Sequence, residues 1–369
     1  MTPTEQRMAA NAEREQTERG IWLNPAAGLQ RAILAAGFWQ VHRELYDNDV
    51  PYVRAEHPAT GEARLYIWEN GARYIVVRPA KDTPKPPPPK PIPTGNARIG
   101  LHASADPDIT DAEVDEFAAL RPGVIKLLSH NTKESFRKMA ARFPDAQYIV
   151  RPFLNFGGRD ISPERFYSDT WHDVNNKLGV LKAHGVSDAN ILLEIHNEPN
   201  LTVEGYGTSW LSPSEFATWF LMVVSLYRTK FPHLCLFPGL SPGDVQLGRP
   251  VDHWTFIEAC RYTLGATGVG GLGVHAYWNG GGIDEGLAVA NEYARRFPNR
   301  RLWVTEASNN QAWDADAKAR QYADFAGNLP KPFQGVTYFV ASASNPAFSH
   351  ETWVDKGMAQ RVTHYINGG

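Results

Sequence analysis

Two glutamates could do chemistry together because each follows directly on an apolar segment of strand length. Glu198 lies at the end of LEIHNEP (193–199), and Glu306 lies at the end of WVTE (303–306). Two carboxyl groups that flank one bond can cleave it: one protonates the departing oxygen, and the other attacks or stabilises the positive centre that remains. A glycosidic bond is broken in this way, so the pair predicts that chemistry if the fold brings both side chains to one pocket.

Other polar side chains follow the apolar segments at equivalent places. Asn197 precedes Glu198, His275 and Tyr277 alternate in a third segment, and Arg151 lies within a fourth. These residue types can orient a carboxylate or hydrogen-bond a hydroxylated ligand. We therefore include Asn197, His275, Tyr277 and Arg151 with the two glutamates as candidate site residues.

Tryptophan is unusually frequent, with 11 in 369 residues. Trp210, Trp278 and Trp313 are predicted to lie in loops that follow strands. An aromatic face there could stack on a sugar ring, whereas the alternative for each is packing in the core. We predict them as substrate-binding candidates, with both interpretations open.

The elements that would position these residues form a regular pattern after residue 96. Short, nearly continuous apolar segments alternate eight times with helical patterns, which is typical of a parallel sheet covered by helices. Eight such units in about 270 residues match a (β/α)₈ TIM barrel, an α/β fold whose active sites lie at the carboxyl ends of the strands. The predicted strands are 97–103, 123–129, 147–153, 190–196, 234–240, 271–277, 301–307 and 335–341.

A proline-rich segment divides the chain. PKPPPPKPIP (84–93) cannot join a helix or a sheet interior and should form an extended spacer. We predict a polar tail (1–20), a small α+β accessory domain (21–80), a linker (81–96) and the barrel (97–369). The accessory domain should contain a helix at 25–37 followed by short strands at 39–45, 51–58, 63–69 and 72–79. Its ligand is unknown from the sequence, and tethering and assembly are both open roles.

Three motifs carry a specific resemblance. LEIHNEPN (193–200), VHAYW (274–278) and VTEAS (304–308) resemble the clan-A retaining glycoside hydrolases. In that clan an Asn-Glu pair ends the fourth barrel strand, a His-x-Tyr element often ends the sixth, and a Glu ends the seventh. The resemblance covers roughly residues 97–369 by pattern and about twenty residues by motif.

The resemblance implies a role for each matching residue. Glu198 would be the general acid/base and Glu306 the nucleophile of a double displacement. Asn197 would bind the sugar 2-hydroxyl, Tyr277 would donate a hydrogen bond to Glu306, and His275 would orient its neighbours or touch the substrate. The expected substrate is an oligosaccharide, a polysaccharide or a glycoconjugate, and no metal or organic cofactor is implied.

Two positions depart from the clan's pattern. The clan's arginine beside the nucleophile is often on the second strand, where this chain has Lys126, so Arg151 on the third strand is a supporting candidate. The clan often has a tryptophan after the eighth strand, where this chain has Phe339. Either another aromatic residue serves there, or the substrate differs from plain glucans.

Some of these residues also fit a metal site or a structural ion pair. Glu194, His196 and Glu198 alternate, so a straight strand would point them the same way, as in a metal site. Glu194 could instead be a buried carboxylate paired with Lys126 or Arg151.

A non-catalytic carbohydrate-binding barrel is the alternative function, although it would not need both carboxylates. A dinucleotide enzyme is disfavoured because GVGGLG (268–273) precedes a strand and no glycine-rich loop opens a helix.

Composition and charge narrow the classes of partner. The net charge of −3 and the pI near 6.5 give no electrostatic footprint for nucleic acid. The chain contains no apolar segment of membrane-spanning length and no signal-peptide pattern at its start, so we expect no membrane partner and, by default, a cytoplasmic location. Release from the cell by another route stays open. Two cysteines make no disulfide framework.

Overall fold

The computed structural model describes residues 97–280 and 282–368, together with five strands between Gln40 and Arg78. The chain divides into two units, Met1–Pro89 and Lys90–Gly369. The predicted tail (1–20), the helix at 25–37 and the linker (81–96) lie outside the described residues. The predicted bounds of the accessory domain therefore stay predictions.

The first unit contains an antiparallel sheet. Its five strands are β1 (Gln40–Val41), β2 (Leu45–Asp47), β3 (Val50–Glu56), β4 (Ala63–Glu69) and β5 (Ala72–Arg78). They pair in the order β1-β3-β4-β5, and β2 also pairs with β3. The segment predicted as a strand at 39–45 overlaps β1 and β2, and those predicted at 51–58, 63–69 and 72–79 correspond to β3, β4 and β5.

The second unit is a closed barrel of eight parallel strands, which confirms the predicted (β/α)₈ fold. All eight predicted strands are present, and sequence order is preserved around the ring. The barrel closes where the last strand pairs with the first, Gly335 opposite Arg98. The strands are β6 (Arg98–His102), β7 (Val124–Leu128), β8 (Gln147–Arg151), β9 (Ile191–Glu194), β10 (Leu234–Phe237), β11 (Val269–Trp278), β12 (Leu302–Asn309) and β13 (Phe333–Tyr338).

Eight α-helices cover the barrel within residues 97–280 and 282–368. Several begin at a side chain that caps the first turn, such as Thr110, whose hydroxyl accepts from Glu113 N in a reciprocal capping box. Over the same residues, no helix has both the length and the apolar character that a membrane crossing requires. The helices are α1 (Asp111–Leu120), α2 (Lys133–Arg142), α3 (Pro163–Ala183), α4 (Pro213–Arg228), α5 (His253–Ala259), α6 (Asp284–Arg296), α7 (Ala315–Gly327) and α8 (Met358–Ile366).

Alternation along the strands separates two apolar layers. The outward side chains pack with the helices into one large core. A small inner cluster lies near the amino ends of the strands, where Trp303 Nε1 donates to Gln147 Oε1 at 2.9 Å. Because that end of the barrel is filled by apolar side chains, the inward polar residues lie toward the carboxyl ends. The inner cluster comprises Val124, Ile149, Leu192, Leu236 and Trp303.

A β-bulge in β12 turns Glu306 toward the site. Val274 of β11 lies opposite Val304 of β12, but the next residue, His275, lies opposite Glu306. Thr305 is therefore an extra residue in β12, and such an insertion re-aims the side chain that follows it. Glu306 consequently shares the barrel interior with His275.

Candidate active site

Glu198 and Glu306 line one cavity of about 770 Å³ at the carboxyl ends of the barrel strands. The loops after β9 to β13 form its walls. This is the end of the barrel at which enzymes of this fold build their sites. The other lining residues include Asn197, Leu201, Val203, Glu204, Ser241, Arg249, Tyr277, Asn279, Glu285, Asn310, Phe339, Phe348 and Glu351.

Glu306 is buried among hydrogen-bond donors and cations. Its Oε1 lies 2.9 Å from Lys126 Nζ and 3.2 Å from Arg151 Nη1, and its Oε2 accepts from Tyr277 Oη at 2.6 Å. Burial by itself raises the pKa of Glu306, but the positive charges of His275, Lys126 and Arg151 hold it well below the usual 4.5. Glu306 is therefore an anion at neutral pH.

Lys126 also forms an ion pair with a second carboxylate deeper in the barrel. Its Nζ lies 2.7 Å from Glu194 Oε2, and both side chains are almost completely buried. Gly239 N donates to Glu194 Oε1 at 3.3 Å. A Cβ at Gly273 would come within 2.6 Å of Glu194 Oε1, so only glycine leaves room for this carboxylate. Glu194 and Glu306 are thus neutralised by Lys126 and Arg151.

His275 lies between the two glutamates of the cavity. Its Nδ1 is 2.9 Å from Glu198 Oε1, and its Nε2 is 3.7 Å from Glu306 Oε1. Burial opposes a charged imidazole, yet Glu306 and Glu198 together raise the pKa of His275 above 6.5. A Cβ at Gly239 would lie 2.1 Å from the ring, so a larger residue there would displace it.

The turn that presents Glu198 has an uncommon backbone conformation. His196 and Glu198 have φ angles of 81° and 39°, in the left-handed region that residues with a Cβ seldom adopt. Such conformations persist only where the surroundings enforce them. The His196 ring is buried against Phe156, Trp210 and other aromatic rings. Burial lowers the pKa of His196 to about 3, so the ring is neutral and acts as an apolar anchor for the turn.

Asn197 is held from two sides. Arg151 Nη1 donates to Asn197 Oδ1, and Asn197 Nδ2 donates to Glu204 Oε1 at 3.0 Å. Arginine can only donate and a carboxylate accepts, so the two partners determine which way the amide faces. The same Arg151 nitrogen contacts Glu306, which places Asn197 next to that carboxylate.

Six of the predicted site residues come together here. Glu198, Glu306, Asn197 and Tyr277 line the cavity. His275 and Arg151 contact the glutamates from the barrel interior. The hydrogen bond expected from Tyr277 to Glu306 is present.

The residues considered as a metal site do not converge. The carboxylate of Glu194 is paired with Lys126, as its alternative interpretation predicted, and His196 turns into the aromatic cluster. Across 97–280 and 282–368, no group of three or more His, Cys, Asp or Glu side chains is arranged to hold a metal ion.

Two of the three tryptophan predictions are wrong. Trp278 is completely buried because β11 extends through it: His275 and Tyr277 face inward, so Trp278 faces outward against Tyr322 and Phe325 of α7. Trp210 is also buried, because its loop folds back under the site and its Nε1 donates to Pro199 O at 2.9 Å. Neither ring has a face free for a sugar.

Trp313 and Phe339 occupy different surroundings. Trp313 is half-buried and lines a separate cavity of about 220 Å³, so its contact with a substrate stays a prediction. Phe339 is half-buried, lines the cavity that holds the two glutamates and packs edge-on against Phe348 at 5.1 Å. Phe339 is therefore an aromatic wall at the end of the eighth barrel strand, where the sequence lacks a tryptophan.

Sequence reasoning missed two contributors. Lys126 was predicted as a possible partner of Glu194 but not as a partner of Glu306, although a lysine inside an otherwise apolar strand is itself a signal of buried ion pairs. Glu204 lies in the loop after β9, and no local pattern distinguishes it from other loop glutamates. Only the fold of that loop brings it to Asn197.

The barrel is similar to solved glycoside hydrolases. The subgroup II endo-β-1,3-glucanase of family GH128 from Sorangium cellulosum gives a TM-score of 0.51 at 16% identity, over 74% of this chain and 99% of that chain. The subgroup IV endo-β-1,3-glucanase of GH128 from Lentinula edodes gives 0.48 at 15% identity, over 74% and 100%. Endoglucanase Cel5A from Thermotoga maritima gives 0.45 at 10% identity, over 73% and 98%.

At the level of sequence, no protein-family model and no curated protein matches the chain. The structural likeness to the Sorangium cellulosum glucanase extends over nearly the whole of that protein at low identity. This chain therefore has the barrel fold of that glucanase.

Proposed function

We propose that the chain is a retaining O-glycoside hydrolase that acts on a β-glucan. The observation that carries the proposal is the pair of carboxylates, Glu198 and Glu306, lining one cavity and joined through His275. The likeness to the Sorangium cellulosum endo-β-1,3-glucanase supports the choice of a β-1,3-glucan as the first substrate to test.

Glu306 is the proposed nucleophile because a double displacement needs a carboxylate that stays ionised. Its oxygen attacks the anomeric carbon as the bond from that carbon to the leaving oxygen breaks, which forms a glycosyl-enzyme ester. Lys126, Arg151 and Tyr277 stabilise the carboxylate before attack and again when it departs. These contacts cost no reorganisation during the reaction, because they exist before the substrate binds.

Glu198 is the proposed acid/base because it borders the cavity beside a proton carrier. It gives its proton to the leaving oxygen in the first step and takes a proton from the attacking water in the second. His275 Nδ1 lies 2.9 Å from Glu198 Oε1, so a proton can pass directly between the two groups. The imidazole can thus hold that proton without moving it away from the cavity.

The direct test is an assay of purified protein against soluble β-1,3-glucan, β-1,4-glucan, xylan, mannan and a panel of aryl glycosides. We expect reducing ends to appear from a β-glucan, and the first product observed by NMR to keep the β configuration. The Glu306→Gln variant should be inactive, whereas Glu134→Gln, at an exposed glutamate on α2, should match the wild type. Binding of the polysaccharide without turnover would contradict the proposal and favour a carbohydrate-binding barrel.

A further inference from the structure

Besides Glu198 and Glu306, the cavity is lined by three glutamates that the two-glutamate mechanism does not use, Glu204, Glu285 and Glu351. Glu204 is the one that accepts a hydrogen bond from Asn197. It lines the cavity together with Glu198 and Glu306, and its side chain is half-buried. Burial raises the pKa of Glu204, and the negative charges of Glu198 and Glu306 act in the same direction. The ionised form of Glu204 is therefore disfavoured there unless hydrogen-bond donors compensate for the lost solvation.

The loop that carries Glu204 is anchored before any ligand binds. The short 3₁₀ helix Thr202–Glu204 follows the acid-bearing turn, and Leu201 N donates to Glu198 O at 2.9 Å. Thr202 N donates to Gly248 O at 2.9 Å, which ties this loop to the next one. Gly205, with φ of 112°, ends the helix where a Cβ would lie 2.8 Å from the Trp210 ring. Glu204 is therefore presented by a constrained backbone.

Its protein partner is the amide of Asn197. Asn197 Nδ2 donates one hydrogen to Glu204 Oε1 at 3.0 Å, and Arg151 holds Asn197 Oδ1. The second hydrogen of Nδ2 has no acceptor among the hydrogen bonds of residues 97–280 and 282–368, and within those residues Glu204 Oε2 has no donor. The two side chains thus present one donor and one acceptor side by side.

A sugar hydroxyl is the ligand group that matches this arrangement, because it accepts and donates at one oxygen. Asn197 and Glu306 contact the same Arg151 nitrogen, so a ring with its anomeric carbon over Glu306 brings its 2-hydroxyl nearest to Asn197. We propose that Glu204 is a positioning and specificity residue, which orients Asn197 and accepts the hydrogen bond of the substrate's 2-hydroxyl. This inference rests on the proposed function.

The inference predicts which substrates the site rejects. A sugar without a 2-hydroxyl leaves the Asn197 donor and the Glu204 acceptor unpaired in a desolvated cavity, which is costly. A bulky 2-substituent would clash with the anchored loop. The site should therefore favour sugars with a free 2-hydroxyl over 2-deoxy and 2-acetamido sugars.

The test compares two activated substrates, 2,4-dinitrophenyl β-laminaribioside and its analogue lacking the 2-hydroxyl on the ring that bears the leaving group. For each, kcat/KM of Glu204→Ala and Glu204→Gln is divided by that of the wild type, which cancels the intrinsic reactivity of the substrate. We expect Glu204→Ala to lose about 10- to 100-fold on the hydroxylated substrate and less than about threefold on the 2-deoxy analogue. Glu204→Gln keeps an oxygen for Asn197 and should lie between.

Loop damage is controlled by Thr202→Val, which removes a side-chain hydroxyl from the same 3₁₀ helix and leaves the carboxylate. Thermal unfolding of each variant confirms that it folds. Equal losses on both substrates, or a loss in Thr202→Val as large as in Glu204→Ala, would overturn the role of Glu204 while wild-type turnover upholds the proposed function. Failure of the wild type to hydrolyse either compound or any β-glucan would overturn the proposed function and this inference together.

Discussion

Glu306 and Glu198 line the same cavity in contrasting surroundings. The Glu306 side chain is 8% exposed and has Lys126, Arg151 and Tyr277 within hydrogen-bond distance. The Glu198 side chain is 18% exposed and contacts only His275 among the charged groups of the described residues. One carboxylate is enclosed by fixed positive charge, and the other borders the cavity beside a single group that can carry a proton.

The difference shows how one barrel can give two carboxyl groups different chemistry. A fixed cluster of cations favours the anion and suits a nucleophile, whereas a neighbour that titrates suits a group that must give and take a proton. The asymmetry arises from position along the chain. Glu306 lies within β12 and faces the barrel interior, whereas Glu198 lies four residues beyond the end of β9, on a turn.

Replacement of Glu306 should have the largest effect. Glu306→Ala removes the attacking oxygen, so kcat on a β-glucan should fall by about 10⁴-fold or more. Steady-state assays against the wild type measure this, and added azide should partly restore turnover because a small anion fits the space left. If Glu306→Ala retained a tenth of wild-type activity, Glu306 would not be the nucleophile.

Replacement of Glu198 should depend on the leaving group. Glu198→Ala should lower kcat/KM on a β-glucan by about 10²- to 10⁴-fold, because the departing alcohol needs a proton. A 2,4-dinitrophenyl leaving group needs none, so its first step should change by less than about tenfold. Pre-steady-state release of dinitrophenol separates the two steps. Equal losses on both substrates would contradict the proposed role of Glu198 as the acid that protonates the leaving group.

Removal of Lys126 should lower the stability of the fold, because Lys126 is the cation that Glu194 and Glu306 share. Lys126→Met leaves Glu194 and Glu306 buried with less compensating charge, so the free energy of unfolding should fall by about 3–5 kcal/mol. Chemical denaturation measures this. In the double variant Lys126→Met/Glu194→Gln the second change should cost little or restore stability, because it removes one uncompensated carboxylate. Additive losses would mean that the two side chains do not interact.

Much of the barrel could be predicted from the sequence, because apolar segments of strand length alternate with helical patterns. The carboxyl end of each strand then places Glu198 and Glu306 at one rim without further information. The face of each side chain is harder to predict. Trp278 follows Tyr277 directly and still faces away from the cavity, because β11 continues one residue beyond its predicted end at 277 and alternation turns that residue outward.

Features that depend on tertiary contacts could not be predicted. The extra residue Thr305 in β12 leaves no local signal, yet it determines that Glu306 faces His275. Trp210 and Glu204 lie in the same loop, and only the tryptophan was a candidate for substrate contact, with core packing as its alternative. The loop instead buries Trp210 beneath His196 and presents Glu204 to the cavity.

The Tyr277 hydroxyl should contribute moderately to the difference between the surroundings of Glu306 and those of Glu198. Tyr277→Phe removes the 2.6 Å hydrogen bond to Glu306 Oε2, so kcat/KM should fall by about 10- to 100-fold. The lost donor favoured the anion, so the pKa of Glu306 should rise and the acidic limb of the kcat/KM profile should move to higher pH. Tyr262→Phe, at an exposed tyrosine, is the matched control. An unshifted acidic limb would show that Tyr277 only packs against the site.

The smallest effect expected is a pH dependence of stability that comes from Glu306. A carboxylate whose pKa is lowered by folding contributes stability that is complete well above its unfolded value near 4.5 and is lost as the pH falls through the folded value. Between pH 7 and pH 3 the free energy of unfolding of the wild type should therefore fall by on the order of 1 kcal/mol more than that of Glu306→Gln.

Urea denaturation at the two pH values measures this shift. The core variant Leu193→Ala, at a fully buried apolar residue with no titratable group, should differ from the wild type by the same amount at both. If Glu306→Gln behaves in the same pH-independent way, the surrounding cations do not hold Glu306 ionised. The contrast with Glu198 would then rest on exposure alone, and the assignment of nucleophile and acid would depend on the leaving-group experiment.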